Sequence, residues 1–158
     1  MAYLMALDQG TSSSRCMIFH PDGRVAGAGQ QSLPASYPHP GWVEQDPWAI
    51  WETQWTAIQQ AMTQSGLKAQ DIRAAGITNQ RETSLIWRRD NGQPIHPAIV
   101  WQDRRSEAQC LHLRETGAAN TIQSLTGLRI DPYFSATKIQ WLLAQVPGAR
   151  AMAEKGEL

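Results

Sequence analysis

The sequence predicts an α/β fold, a mixed sheet that opens with a three-stranded antiparallel meander, continues into parallel pairing and carries helices on its faces. Three observations predict it. Short apolar runs alternate with turn residues over the first 32 positions, a capped helical pattern follows, and a compact apolar run then returns the chain to the sheet. With 158 residues, 42% of them hydrophobic, the chain is long enough for one domain with its own core.

Tyr3-Leu-Met-Ala-Leu7 is a strand-length apolar run, ended by Asp8-Gln-Gly-Thr-Ser-Ser-Ser14, and apolar side chains resume at Cys16-Met-Ile-Phe19. Pro21-Asp-Gly23 turns the chain, and residues 24–32 supply a third strand. After the turn-rich segment 34–41, Asp46-Pro47 reads as an N-cap followed by proline at the first helical position. Trp48, Trp51, Trp55, Ile58 and Met62 recur at spacings of three and four, an apolar stripe read as core packing in preference to an aromatic ligand platform. The helix ends near Ser65-Gly66. Residues 72–78 and 83–87 are strand candidates with Asn79-Gln-Arg-Glu82 held between them, and Asp90-Asn-Gly92 is a turn. Residues 98–101 form a short strand, Asp103 is placed to cap a helix running to about Thr116, and Ile139, Leu142, Leu143 and Val146 mark a last helix before Pro147-Gly148.

Fourteen basic side chains balance fourteen acidic ones, so no global field attracts nucleic acid or an anionic membrane surface. No run approaches the length of a membrane span, and the first ten residues lack the basic start and cleavage site of a signal peptide, so a cytoplasmic location is expected. Cys16 and Cys110 have no ligand-like or disulfide-framework spacing and are expected to be reduced, buried thiols. His20, His39, His96 and His112 show no metal-site pattern.

Two constellations carry chemistry. In Asp8-Gln-Gly-Thr-Ser-Ser-Ser-Arg15 the glycine permits close backbone approach and the hydroxyls of Thr11, Ser12 and Ser13 can donate to phosphate oxygens. Asp8 can hold a magnesium ion through water and Arg15 can offset charge. An ordinary polar hairpin would look similar, and neither the P-loop nor the dinucleotide-binding glycine pattern is present. In the second, Arg81 can donate to, and Glu82 accept from, the vicinal hydroxyls of a polyol. Trp101 and Tyr133 can supply an apolar wall and a hydroxyl, although by themselves both read as core residues. Ser135-Ala-Thr-Lys138 matches a Ser-x-x-Lys nucleophile motif but lacks its companion Ser-Asp-Asn and Lys-Thr-Gly segments, and is set aside as chance.

Taken together, residues 7–15, Pro40-Gly-Trp-Val-Glu-Gln-Asp-Pro47, Gly76-Ile-Thr-Asn-Gln-Arg-Glu-Thr83, Val100-Trp-Gln-Asp-Arg-Arg105 and Thr126-Gly-Leu with Asp131-Pro-Tyr-Phe-Ser135 closely resemble glycerol kinases along the whole chain. Pentulose kinases of the wider carbohydrate-kinase family usually carry a Gly-Gln-Met-His type segment where Asn79-Gln-Arg-Glu82 stands, which favours glycerol. The resemblance implies a ribonuclease H-like, actin-type ATPase fold that binds ATP and Mg2+ in a cleft between two domains, and transfer of the γ-phosphoryl group to glycerol, giving sn-glycerol 3-phosphate and ADP. Carried over, Arg81, Glu82, Trp101 and Tyr133 line the glycerol pocket, Thr11, Ser12, Ser13 and Arg15 face the ATP phosphates, and Asp8 faces the metal. The full-length enzyme is expected to be a homo-oligomer.

The resemblance also implies that residues 1–158 are the amino-terminal part of the first domain and that the second domain is absent. The proton-accepting aspartate, from a Gly-Asp-Gln segment, would lie beyond Leu158, so no catalytic residue is expected within the chain and the fragment alone is expected to be inactive. Two other readings stay open: a truncated fragment that at most binds ligand or itself, and a ribonuclease H-like nuclease using Asp8 and Glu82, which the neutral charge disfavours.

Overall fold

The computed structural model describes residues 2–158. In chain order its elements are β1 (Tyr3–Gln9), β2 (Ser13–Phe19), β3 (Val25–Ser32), β4 (Glu44–Gln45), α1 (Pro47–Ser65), a 3-10 turn (Ala69–Asp71), β5 (Ile72–Thr78), β6 (Ala98–Ile99), α2 (Glu107–Glu115), α3 (Ala118–Thr126), α4 (Ser135–Gln145) and α5 (Ala149–Glu154). They fall into two units: the residues up to Ala35 with Asp46–Gln80, and Ser36–Gln45 with Arg81–Leu158.

The first unit is a four-stranded sheet in the order β3-β2-β1-β5. β1 runs antiparallel to β2, β2 antiparallel to β3, and β5 returns parallel to β1 with Asp8 beside Thr78, so the meander and the parallel return are both present. Pairing of β1 with β2 extends to Gln9 and Ser14, which shortens the intervening turn to Gly10, Thr11 and Ser12.

α1 begins as its sequence dictates. An Asp46 side-chain oxygen accepts from the Trp48 N–H at 2.9 Å, Pro47 follows, and Gly66 at φ 66° closes the helix through its N–H to Met62 O. What α1 buries differs from the expectation. Cys16 and Ile18 of β2 meet Ala57 and Ala61, with Ile58 and Met62 packed around them, whereas Trp48, Trp51 and Trp55 are 47%, 63% and 50% exposed. The tryptophans therefore do not form the core. The reason lies in β3: a Cβ on Gly29 would stand 2.1 Å from Ala57 O, and one on Gly27 2.4 Å from Ala61 O. The helix backbone rests directly on the strand, so only alanine-sized side chains fit beneath it.

In the second unit β4 pairs antiparallel with β6. The strand expected at 83–87 exists only as isolated bridges, Ser84 to Ile99 and Trp87 to Pro94. Asp103 does not cap α2, which starts at Glu107 after Ser106. Its carboxylate is instead buried, accepting from the Val43 N–H at 2.6 Å and from Arg105 at Nε (2.9 Å) and Nη2 (2.8 Å). Arg105 Nη2 also lies 2.8 Å from Glu44 Oε1, and its guanidinium is stacked 3.8 Å from the Trp42 ring and 4.8 Å from that of Trp141. Two carboxylates and two aromatic faces thus offset the cost of burying one guanidinium. α3 and α5 have no counterpart among the expected elements, and α4 covers the helix expected around Ile139 and Leu142. Among the described residues, no helix is long and apolar enough to cross a membrane.

Candidate functional site

In the first unit, the antiparallel pairing of β1 and β2 sets Asp8 directly opposite Arg15. Both side chains are exposed, as is Ser12, while Thr11 and Ser13 are half-buried. Gly10 tightens the turn: its N–H donates to Ser13 O at 3.0 Å, and a Cβ there would come within 2.9 Å of the same oxygen. The turn is braced from outside. The Leu33 N–H donates to Ser12 O at 2.9 Å, and Gln30 Nε2 donates to Ser13 Oγ at 3.0 Å. Ser14, one residue on, points the other way; it is buried, donates to Gln9 Oε1 at 3.0 Å and lies 2.8 Å from Thr53 Oγ1. Alternation along β2 thus turns Ser14 inward, away from its neighbours Ser13 and Arg15, whereas Ser12 is exposed in the turn that precedes the strand.

In the second unit, Glu82 stands at φ 66°, the single non-glycine residue with positive φ among those described. That conformation costs an L-residue about 1–2 kcal/mol and persists where surrounding contacts hold it. Glu82 Oε2 accepts from the Ser135 N–H at 2.9 Å and from Ser135 Oγ at 2.7 Å. α4 has no side-chain cap of its own at Phe134, so the Glu82 carboxylate serves the helix N-terminus in its place. Trp101 and Tyr133 come together edge to face, ring centroids 6.0 Å apart. Trp101 is half-buried and Tyr133 is 37% exposed, so this pair is a surface-reaching wall and not core. Arg81, next to Glu82, is exposed.

Asp8, Thr11, Ser12, Ser13 and Arg15 are therefore brought together by one hairpin, and Glu82, Trp101 and Tyr133 by the segments around α4. Two residues set aside as a chance Ser-x-x-Lys match belong to this second cluster: Ser135, which holds Glu82, and Lys138, whose buried Nζ donates to Pro132 O at 3.1 Å and to Tyr133 O. The usable signal was an α4 start with phenylalanine where a capping residue belongs, which requires a partner from elsewhere.

A family model described as the FGGY family of carbohydrate kinases, N-terminal domain, matches residues 3–156. The chain belongs to the FGGY family of carbohydrate kinases. It is 61% identical over its full length to the glycerol kinase of Polaromonas sp. (strain JS666 / ATCC BAA-500) and 60% identical to that of Delftia acidovorans, spanning 32% of each. Among solved structures, the Plasmodium falciparum glycerol kinase with ADP superposes with a TM-score of 0.92 at 30% identity, covering 99% of this chain and 31% of that one. A xylulose kinase from Rhodospirillum rubrum shares the fold, with a TM-score of 0.83 at 22% identity over 94% of this chain and 30% of that one. The FGGY chain described here thus spans about a third of the length of the relatives it matches.

Proposed function

We propose that these residues form the amino-terminal part of the first domain of a two-domain kinase that phosphorylates glycerol at the expense of ATP. The observation that carries the reading is Glu82, a carboxylate held in a strained conformation beside an aromatic wall of Trp101 and Tyr133. A grip of this kind suits a small polyol: Glu82 accepts from hydroxyls, Arg81 donates, the rings cover the carbon skeleton and the Tyr133 hydroxyl meets a further oxygen. The identity to proteins named glycerol kinase supports glycerol over a ketose.

The hairpin 8–15 suits the phosphates. The Ser12 hydroxyl and the Arg15 guanidinium reach solvent on a braced turn, with Thr11 and Ser13 beside them, so donors stand ready with little reorganisation. Asp8 fits a magnesium ion: it is a single exposed carboxylate, and this ion commonly takes one or two carboxylates while keeping water and phosphate oxygens as its other ligands. When bound, the ion would offset charge on the β- and γ-phosphates. The reaction then needs a terminal hydroxyl of glycerol oriented in line with the γ-phosphorus, its oxygen forming the new P–O bond as the bond to the ADP oxygen breaks. The proton acceptor is assigned to an aspartate outside these 158 residues, so the chain alone binds without turnover.

An ADP-release assay tests this. The full-length kinase is expected to release ADP with glycerol and ATP but not with a pentulose, and the 158-residue chain to release none. Turnover by the chain alone, or preference for a pentulose, would overturn the reading.

A further inference from the structure

We propose that Ser135 and Lys138 are positioning residues of the polyol pocket, the first fixing the Glu82 carboxylate and the second fixing the turn that carries Tyr133. The proposal rests on the glycerol reading of Arg81, Glu82, Trp101 and Tyr133.

Glu82 needs an external hold because its backbone is strained. The two Ser135 bonds, at 2.9 and 2.7 Å, converge on Oε2, fix the carboxylate direction and leave Oε1 as the oxygen facing a ligand hydroxyl. Lys138 lies one turn further along α4 and is wholly buried. A buried ammonium is costly unless its donors are met; here they meet the carbonyls of Pro132 and Tyr133. Burial pushes the ammonium below the usual lysine range, while Glu82, Asp103 and Asp131 act in the opposite direction. A purely apolar filler would have packed this position without that cost. What the lysine adds is a fixed backbone at Tyr133, and hence a fixed ring against Trp101.

The spacing set aside as a nucleophile motif therefore has a different use. Ser135 Oγ donates to a carboxylate and Lys138 Nζ to two carbonyls, so the first turn of α4 grips the polar side of the pocket with one residue and the aromatic side with the other. Small displacements of a binding group have large effects on turnover and affinity, which makes the first turn of α4 a determinant of glycerol recognition.

Steady-state kinetics on the full-length kinase test this. Lys138→Met is expected to raise the glycerol KM by about tenfold or more, with the ATP KM within about twofold. Ser135→Ala should raise the glycerol KM by about fivefold, and Ser135→Thr, which keeps the hydroxyl, should stay within about twofold of wild type. A general loss of fold would lower the active fraction, and so kcat, without selecting glycerol. Should Lys138→Met fail to fold by circular dichroism, the two Ser135 variants decide alone. A wild-type glycerol KM in Ser135→Ala, or a Ser135→Thr as impaired as Ser135→Ala, overturns the positioning role while leaving the glycerol reading intact. A wild-type enzyme inert toward glycerol overturns both.

Discussion

Asp103 illustrates how a residue can be read correctly as polar and wrongly as to its task. An aspartate a few positions ahead of an apolar pattern suggests a helix cap, yet its carboxylate lies buried between the Val43 N–H and Arg105. Nothing local in the sequence announces a partner sixty positions away. Removing it leaves the Arg105 guanidinium buried with only Glu44 for a counter-ion, so Asp103→Ala is expected to destabilise the second unit by about 3–5 kcal/mol. Urea unfolding followed by tryptophan fluorescence checks this, since Trp42 and Trp141 flank the guanidinium. The thiols behave as the sequence suggests. Burial pushes both Cys16 and Cys110 above the ordinary value of 9.0, and both are free. The folded state then holds their protons to higher pH than the unfolded chain. Their contribution is fully present below about pH 9 and is lost as pH rises through the folded values. Relative to Cys16→Ala/Cys110→Ala, the wild-type chain should lose unfolding free energy as pH rises above about 9, and a parallel pair of stability curves would count against it.

Among the elements, those defined by their own turns and caps were legible. The meander, the Asp46-Pro47 start of α1 and the Gly66 stop follow from residues within a few positions of each feature, and the parallel return of β5 follows from the helix placed between two strands. The candidate residues 8–15 and 81–82 stood out for a similar reason, as polar runs at strand ends. The buried face of α1 was not legible, because period alone does not say which stripe faces the sheet. Three tryptophans offer far more apolar area than two alanines, but Gly27 and Gly29 bring the strand too close for them. This contact is testable by adding one methyl group. Gly29→Ala forces its Cβ against Ala57 O and should cost about 3 kcal/mol or more, whereas Gly76→Ala, with nothing within 4 Å of its Cβ, should be tolerated. Equal denaturation midpoints for the two variants would refute the close approach.

For the molecule as a whole, the sheet order ends at β5, and no described strand pairs with its outer side. Six of its seven residues are exposed, and Ile77 is 76% exposed. An open edge of this kind presents unpaired N–H and C=O groups to any other chain that can add a strand. α1 adds an exposed aromatic surface through Trp51 and Trp55, whose rings lie parallel at 6.4 Å, and the net charge of zero supplies no overall repulsion between copies. The 158-residue chain on its own is therefore expected to self-associate with rising concentration, which size-exclusion chromatography with light scattering would register as a mass above that of one chain. Ile77→Lys places a charge on the edge strand and should shift the mass towards the monomer, while Trp51→Lys should do so only if the helix face carries the contact. A single-chain mass for the unmodified protein at every concentration would show that neither surface binds a second copy.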